Sequence, residues 1–292
     1  MYKDEYREYG LSLGTEKNRP QIILVTGASS GMGYETARIL AEQGHRVYGA
    51  ARRVQKIEEL AQYGVQALPL DITDEASIVA CVNQIISREG RIDVLINNAG
   101  YGYFGAIEDV PMSDAKHQFE VNIFGLARLT QEVLPHMRKQ HSGRIVNLAS
   151  VAGHVTLAFG AWYNATKYAL EAFSDALRME VKPFGIDVVI IEPGAIRTDW
   201  GIIAADHLRD SSKGGAYEKT ATRMAEGLRK LYLSHIPTDP KVISRKIARA
   251  AVCRCPKTRY RTGRGAKLMV FLHTLLPARW WDRLVVQSMS KM

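Results

Sequence analysis

The chain has 292 residues, of which 46% are hydrophobic and 24% are charged, and its formal net charge is +9 at pH 7. This composition is typical of a globular protein with a full apolar core, and it excludes low-complexity and collagen-like chains. A membrane span needs roughly 18 apolar residues. The longest apolar run, at residues 268–276, is half that length and contains His273.

The N-terminus and the cysteines indicate the cellular setting. Residues 1–20 are polar and lack the apolar stretch of a secretory signal, so we expect a polar N-terminal extension. Cys81, Cys253 and Cys255 form no disulfide framework, which favours a reducing cytoplasm. Because Cys253 and Cys255 have no second cysteine pair and no nearby histidine, we expect no metal site.

Predicted strands and helices alternate along the chain, and the first pair encloses three glycines. A short apolar run at residues 21–26 leads into a turn with Gly27, Gly31 and Gly33, and a helical pattern follows at 34–43. Gly27 allows a tight turn, Gly31 lets backbone N–H groups reach a pyrophosphate, and Gly33 lets helix and strand pack closely. The sequence therefore predicts a dinucleotide site here.

The second predicted strand, at residues 46–51, is followed by Arg52 and Arg53 rather than by a carboxylate. In NAD-preferring enzymes, an acidic residue about 20 positions after the glycine turn binds the ribose 2′-hydroxyl. Two guanidinium groups pair well with a 2′-phosphate instead, so the sequence favours NADP(H). A solvated loop is the alternative interpretation of the two arginines.

The next two predicted strands also end in polar residues. The strand at 65–70 precedes Asp71, which either accepts a hydrogen bond from an adenine amino group or caps the helix that begins near Asp74. The strand at 92–96 precedes Asn-Asn-Ala-Gly at 97–100. Because the carboxyl ends of parallel strands border the ligand crevice, we expect both loops to face it.

Two polar residues, Asn122 and Ser150, follow in chain order. Asn122 lies within a long helix predicted at 113–140, although asparagine is a weak helix former whose amide can bind backbone or water instead. Ser150 follows a strand predicted at 144–149, which places it at the same edge of the sheet.

Tyr163 and Lys167 are four residues apart in a segment of helical period. Side chains at this spacing share one face of a helix. A cation near a phenol favours the phenolate and lowers its pKa from the ordinary value near 10. The spacing also arises by chance in many helices, so it gains weight only from the rest of the chain.

The remaining elements complete an alternating pattern. They are a strand at 187–191, a polar insertion at about 200–235 over the cleft, a helix at 240–252, a strand at 258–262 and a basic, amphipathic extension at 265–292. Six or seven strands that alternate with helices predict an α/β fold with one doubly wound parallel sheet in residues 21–264.

Together these motifs resemble the short-chain dehydrogenase/reductases over residues 22–262. The resemblance rests on Thr26-Gly27-x3-Gly31-x-Gly33, Asn97-Asn98-Ala99-Gly100, Asn122, Ser150, Tyr163-x3-Lys167 and Pro193-Gly194 with Thr198. The arginines after the second strand and the basic extension are similar to those of the branch with hydroxysteroid and retinol dehydrogenases. The resemblance implies a Rossmann fold with helices on both faces of the sheet, assembled as a homodimer or homotetramer.

The resemblance also implies a role for each catalytic residue. Tyr163 is expected to protonate the carbonyl oxygen as hydride arrives, and to act as the base in the reverse direction. Lys167 lowers the pKa of Tyr163 and binds the nicotinamide ribose. Ser150 donates a hydrogen bond to the substrate oxygen, and Asn122 positions a water in a proton relay.

The cofactor that the resemblance implies is NADP(H). The residues expected to bind it are Gly27, Ser29, Ser30, Gly31, Met32, Gly33, Arg52, Arg53, Asp71, Ile72, Asn98, Ala99, Gly100, Tyr163, Lys167, Pro193, Gly194, Ile196 and Thr198. The expected substrate residues are Ser150, His154, Tyr163 and Trp200. For His154, an exposed loop position is the alternative.

The sequence therefore predicts an NADP(H)-dependent oxidoreductase that interconverts a ketone or aldehyde and an alcohol. Aromatic residues near the strand ends favour a hydrophobic substrate such as a steroid, a retinoid or a lipid-derived carbonyl. Two alternatives are a non-catalytic NADP(H)-binding redox sensor and a surface- or nucleic-acid-binding protein driven by the basic C-terminus, although we expect no nucleic-acid partner. The tail at 265–292 is open to three interpretations: contact with an anionic bilayer, packing on the body, or contact with a second subunit.

Overall fold

The computed structural model describes residues 19–290, so the predicted polar extension lies outside the described residues except for its last two positions. The strands of the described chain are β1 (Ile22–Thr26), β2 (Arg46–Ala51), β3 (Gln66–Pro69), β4 (Val94–Asn97), β5 (Gly143–Leu148), β6 (Ile186–Pro193) and β7 (Arg259–Thr262). They form one parallel sheet in the order β3-β2-β1-β4-β5-β6-β7. The predicted fold class is confirmed.

Helices occupy the connections between the strands. They are α1 (Gly31–Glu42), α2 (Val54–Glu58), α3 (Glu75–Glu89), α4 (Met112–Phe119), α5 (Gly125–Gln140), α6 (Ala161–Val181), α7 (Asp199–Ser211), α8 (Glu218–Leu233), α9 (Pro240–Val252), α10 (Ala266–Leu275) and α11 (Ala278–Ser290). Short 3-10 turns lie at Ala61–Tyr63, Val151–Gly153 and Lys182–Phe184.

The central strands β1, β4 and β6 are buried on both faces of the sheet, because they are nearly continuous apolar runs. In β1, Ile23 and Val25 point to the side covered by α1 and α9, where they join one apolar cluster. Leu24 points to the opposite side, where α3, α5 and α6 contribute a second cluster. Alternation of side chains along a strand therefore serves two cores at once.

The order of the strands creates the crevice for a ligand. β1 pairs with β2 on one side and with β4 on the other, with Ile23 opposite Val94. The chain therefore leaves β1 in one direction and returns to its other side, which is the switch point where ligands bind in open parallel sheets.

The long helix predicted at 113–140 differs from the prediction in its middle. A π-helical segment, Glu120–Phe124, separates α4 from α5, and Asn122 is buried within it. The side chain of Asn122 binds the backbone of Tyr101 through both amide atoms, and this pairing holds the irregular turn.

The insertion at about 200–235 contains α7 and α8, and the C-terminal extension contains α10 and α11. None of the helices among residues 19–290 combines the length and the apolar character that crossing a bilayer demands.

Candidate active site

The glycine turn between β1 and α1 has the geometry of a phosphate cradle. Gly27 and Gly31 have φ values of +64° and +58°, which side-chain-bearing residues rarely adopt. A Cβ on Gly33 would lie 2.4 Å from the Gly27 carbonyl oxygen and 2.4 Å from the Asn98 amide nitrogen. Only glycine therefore fits at position 33. The N-terminus of α1 supplies backbone N–H groups that can bind an anion.

The loop after β4 holds this turn in place. The Thr26 hydroxyl accepts hydrogen bonds from the N–H groups of Asn98 and Ala99, both at 3.0 Å. The Asn98 amide donates to the Thr26 carbonyl at 2.9 Å and to the Gly27 carbonyl at 3.3 Å. Asn98 therefore supports the turn from below, and Gly100 follows as an exposed residue next to Asn122.

The two arginines after β2 are exposed, and one of them reaches the turn. The Arg53 guanidinium donates to the hydroxyls of Ser30 at 3.3 Å and Ser29 at 3.4 Å. Arg52 is near enough to Asp71 for its charge to contribute to a lowered Asp71 pKa, after the larger effect of the hydrogen bond from the Thr73 backbone. A cationic rim therefore borders the glycine turn.

Asp71 and Ile72 form the loop after β3. The Asp71 carboxylate accepts from the Thr73 N–H at 3.0 Å and from its hydroxyl at 2.7 Å. The helix cap is Asp74, which accepts from the Ala76 N–H. Asp74 therefore caps the helix, and Asp71 does not.

Ser150 and Tyr163 meet at the carboxyl end of β5. The Ser150 hydroxyl accepts from the Ala152 N–H at 3.1 Å and donates to the Pro193 carbonyl at 3.4 Å. Burial raises the pKa of the Tyr163 phenol, and a hydrogen bond with Ser150 partly opposes this shift. The phenol is therefore a protonated group at neutral pH with a hydroxyl beside it.

Lys167 lies one helical turn after Tyr163 and is buried. Its ammonium is 5.8 Å from the centre of the Tyr163 ring and donates to the Leu148 carbonyl at 2.8 Å. Burial lowers the pKa of Lys167 to about 8, although Glu171 opposes the shift. The predicted pair shares one face of α6, but the structure holds the ammonium on the backbone of β5 rather than on the phenol.

Asn122 connects the π-helical segment to the same helix. Its amide nitrogen donates to the Tyr101 carbonyl at 2.8 Å and to the Thr166 hydroxyl at 3.0 Å, and its oxygen accepts from the Tyr101 N–H at 2.8 Å. Thr166 is adjacent to Lys167. The side chain of Asn122 therefore braces the π-helical segment against the Tyr101 backbone and against α6, and its role in a proton relay stays a prediction.

The segment after β6 lies next to the glycine turn and forms another border of the site. The Gly194 N–H donates to the Thr262 carbonyl at 2.9 Å, and Ile196 forms an isolated bridge with Thr238. The Thr198 methyl group would be 3.9 Å from a Cβ on Gly31. Thr198 therefore faces the glycine turn, and its role in cofactor binding stays a prediction.

Comparisons with known proteins agree with this geometry. The family model described as short chain dehydrogenase matches residues 21–206. The chain belongs to the short-chain dehydrogenase family. A solved short-chain dehydrogenase from Streptomyces avermitilis is 37% identical, with a TM-score of 0.75, and the match covers 88% of this chain and 93% of that one.

Two further relatives of this short-chain dehydrogenase carry names that describe chemistry. A closed form of serine dehydrogenase, complexed with NADP+, is 26% identical with a TM-score of 0.73, over 83% of this chain and 94% of that one. The 3-ketodihydrosphingosine reductase of Bacteroides thetaiotaomicron is 44% identical over 180 residues, which are 62% of this chain and 65% of that protein.

An aromatic wall covers the Tyr163 phenol of this short-chain dehydrogenase. The ring centres of Trp200 and Phe104 lie 4.9 Å and 5.8 Å from that of Tyr163. The indole of Trp200 also lies directly over Gly102, where a Cβ would be 2.3 Å from it. Trp200 joins this wall to an apolar cluster formed by α7 and α8. Trp200 therefore lies beside the Tyr163 ring, and its contact with a substrate stays a prediction.

His154 lies elsewhere. Its Nε2 atom is 3.3 Å from the Glu192 carboxylate, which is fully buried, and 3.8 Å from that of Glu171. Arg259 and Arg261 pair with Glu192 at 3.2 Å and 2.6 Å. The imidazole therefore belongs to a charged cluster between α6, β6 and β7, and this placement does not support the predicted contact with substrate.

Two residues that support the site had no role in the sequence analysis. The Asn164 amide donates to the carbonyls of Ala152 and Val155, both at 2.8 Å, and the Ser244 hydroxyl donates to the Met32 carbonyl at 3.1 Å. Their hydrogen bonds join segments that are distant in sequence, so spacing alone gave no indication of them.

Proposed function

We propose that this protein is an NADP(H)-dependent oxidoreductase that interconverts a hydrophobic ketone or aldehyde and the corresponding alcohol. The observation that carries the proposal is the contact between the Ser150 hydroxyl and the Tyr163 phenol, with Lys167 one helical turn further on. Proton donor, oxygen-binding hydroxyl and cation therefore occur together beside the glycine turn.

In the direction of reduction, the site offers a proton donor to the substrate oxygen. Burial keeps the Tyr163 phenol protonated, so it is a general acid for the oxygen of a bound carbonyl. Ser150 donates a hydrogen bond to the same oxygen as negative charge develops there. The Lys167 charge stabilises the phenolate that remains after proton transfer. Bound NADPH would supply the hydride.

The preference for the phosphorylated cofactor rests on the rim of the turn. Arg53 contacts Ser29 and Ser30, and the end of β2 carries no carboxylate that would repel a 2′-phosphate. The similarity to a dehydrogenase complexed with NADP+ supports the same assignment. Gly27, Gly31 and Gly33 would hold the pyrophosphate.

For the substrate we propose a lipid-derived ketone. The wall around Tyr163 is aromatic and includes Phe104, Trp200 and Tyr232, so it favours an apolar chain over a charged metabolite. The similarity to a 3-ketodihydrosphingosine reductase supports a long-chain substrate. Cys81, Cys253 and Cys255 are free thiols, which suits a reducing cytoplasm.

A substrate panel tests the proposal. NADPH and NADH consumption is measured with ketones of increasing chain length, a steroid, retinal and a short polar ketone. We expect NADPH-dependent turnover that rises with chain length. In Tyr163→Phe, turnover should fall by about three orders of magnitude or more, while NADPH fluorescence titration shows unchanged affinity. Full activity in Tyr163→Phe would overturn the catalytic assignment.

The alternative is a non-catalytic sensor of NADP(H), which would use the glycine turn without the catalytic residues. The intact arrangement of Ser150, Tyr163 and Lys167 counts against it. Saturable NADPH binding without any carbonyl-dependent consumption across the panel would favour it.

A further inference from the structure

Helix α10 has two apolar faces, and the protein covers one of them. Ala266 and Val270 are buried against Val151 and Val155, next to the turn that follows Ser150. On the opposite side, Leu268, Phe271 and Leu275 are 60%, 58% and 62% exposed. Their spacing of three and four residues places these three side chains in one stripe. A soluble helix normally buries such a stripe.

Helix α11 repeats the arrangement. Trp281 and Val285 are buried in the same cluster as Val270. Trp280, which precedes Trp281, is 65% exposed, and Leu284, which precedes Val285, is 46% exposed. The apolar stripe of α11 is therefore wider than the surface that receives it.

Basic residues border both exposed stripes. Lys267 precedes Leu268, while Arg279 and Arg283 are exposed on α11, and none of the three has an ion pair among the described residues. A cleft of about 580 Å³ beside the α10 stripe is lined by Glu192, Arg259, Arg261, Lys267, Leu268 and Phe271. Across residues 241–292, the sequence has thirteen lysines and arginines against Asp282 as the one acidic residue.

Two partners could cover this surface: a second copy of the chain or an anionic bilayer. The charge of the surface favours the bilayer. In a symmetric dimer through this face, the basic patch would meet a second copy of itself, so Lys267, Arg279 and Arg283 would approach a surface of the same charge. Like charges across an interface oppose association. A bilayer with anionic lipids offers the opposite sign, and it accepts Trp, Phe and Leu side chains at the depth of the headgroups.

We propose that α10 and α11 form a docking surface for an anionic lipid bilayer. Leu268, Phe271, Leu275, Trp280 and Leu284 enter the boundary between headgroups and acyl chains. Lys267, Arg279 and Arg283 bind the phosphate groups above them. Helix α11 packs against α8, which belongs to the wall over Tyr163. Docking therefore brings the covering helices of the active site to the membrane surface, where lipids are concentrated.

Vesicle binding tests this inference with the full-length protein. Sedimentation is measured with vesicles of phosphatidylcholine alone and with vesicles that contain 30% phosphatidylglycerol, at low and high salt. We expect binding to the anionic vesicles, at least tenfold weaker binding to the neutral ones, and loss at high salt. Phe271→Ser with Trp280→Ser should reduce binding at least tenfold, and so should Arg279→Gln with Arg283→Gln.

The matched control is Ile107→Ser with Met179→Ser, two equally exposed apolar residues outside the docking surface. This variant should bind vesicles like the wild type. Turnover of a water-soluble ketone should be unchanged in all variants, which separates docking from the proposed activity. Equal binding to both vesicle types, or no binding at all, overturns the proposal. Conversion of a dimer to a monomer by Phe271→Ser with Trp280→Ser, measured by light scattering, overturns it in favour of a second copy.

Discussion

The ammonium of Lys167 donates a hydrogen bond of 2.8 Å to the carbonyl of Leu148, at the end of the strand that leads to Ser150. The contact holds the lysine in the site, but it leaves the amine buried without an adjacent phenolate. Burial accordingly lowers the pKa of Lys167 to about 8, and burial raises that of Tyr163. The cation that the proposed chemistry requires is therefore itself sensitive to pH.

The affinity for NADPH should fall as the pH rises through about 8. A lysine with a lowered pKa loses its charge above that value, and with it an electrostatic contribution to the binding of an anionic dinucleotide. Fluorescence titrations between pH 6.5 and 9.5 measure this. In Lys167→Arg, whose side chain stays charged, the inflection should disappear. A wild-type affinity that is flat across this range would contradict the assigned pKa.

The lowered pKa of Lys167 also affects the stability of the fold. Stability should rise with pH, whereas the affinity for NADPH should fall. In the unfolded chain, Lys167 has an ordinary lysine pKa near 10.5. Between pH 8 and 10.5 the unfolded state therefore binds more protons than the folded state, and the free energy of unfolding rises with pH. A shift of this size corresponds to about 3 kcal/mol. Urea denaturation at pH 7.5 and 9.5 should show a larger gain for the wild type than for Lys167→Met. An equal gain in stability for the two proteins would mean that the Lys167 amine is hydrated in the folded state.

Gly33→Ala should abolish NADPH binding. A methyl group there would lie 2.4 Å from both the Gly27 carbonyl and the Asn98 amide, so the turn must move away from its cradle geometry. The control is Gly44→Ala, which has a positive φ and open space around the glycine. It should lose about 1 kcal/mol of stability with unchanged affinity. Micromolar NADPH binding by Gly33→Ala would show that the turn does not hold the dinucleotide.

Reversal of charge at the rim should change cofactor choice. Arg53→Asp replaces the guanidinium beside Ser29 and Ser30 with a carboxylate, which repels a 2′-phosphate and accepts from a ribose hydroxyl. The ratio of kcat/KM for NADPH to that for NADH should fall at least tenfold, and Arg52→Asp should act in the same direction. Lys56→Asp, on the nearby surface, is the control. An unchanged ratio in both arginine variants would remove them from the cofactor site.

Arg261→Leu should destabilise the protein by about 3 kcal/mol, because it leaves the fully buried Glu192 with fewer partners. Burial opposes ionisation of Glu192, but hydrogen bonds and charge from His154 and Arg261 outweigh it and hold the pKa of Glu192 below its usual value. The difference between variant and wild type should therefore persist above about pH 4.5 and vanish as Glu192 becomes protonated.

The control for that experiment is Arg209→Leu, which breaks exposed ion pairs with Asp206 and Asp210. It should change the free energy of unfolding by at most about 1 kcal/mol. Equal effects in the two arginine variants would show that the Glu192 cluster contributes no more than a surface pair.

Periodicity and turn chemistry predicted much of this molecule from its sequence. The doubly wound parallel sheet follows from apolar runs that alternate with helices, and the glycine turn follows from local backbone requirements. Helix α9 occupies the predicted residues 240–252, because a proline at its start and a regular apolar stripe define it.

Long-range contacts explain what the sequence did not predict. The π-helical turn depends on the backbone of Tyr101, which no pattern within residues 113–140 reveals. His154 turns towards Glu192 because a buried carboxylate requires partners, and those residues are 38 positions apart. The expected lowering of the Tyr163 pKa by Lys167 stays a prediction, because burial raises the pKa of the phenol and the ammonium donates to the Leu148 carbonyl.

The position of Trp200 has a consequence for turnover. Its indole rests on Gly102 and beside Tyr163, so a molecule that approaches the phenolic oxygen from this side must first displace the indole. Because Trp200 lies in the first turn of α7 and packs against the apolar cluster of α7 and α8, we expect that displacement to move both helices rather than the indole alone. Under the proposed function, the ketone would enter and the alcohol would leave through the same opening, and the rate of that opening would limit how fast the enzyme can cycle.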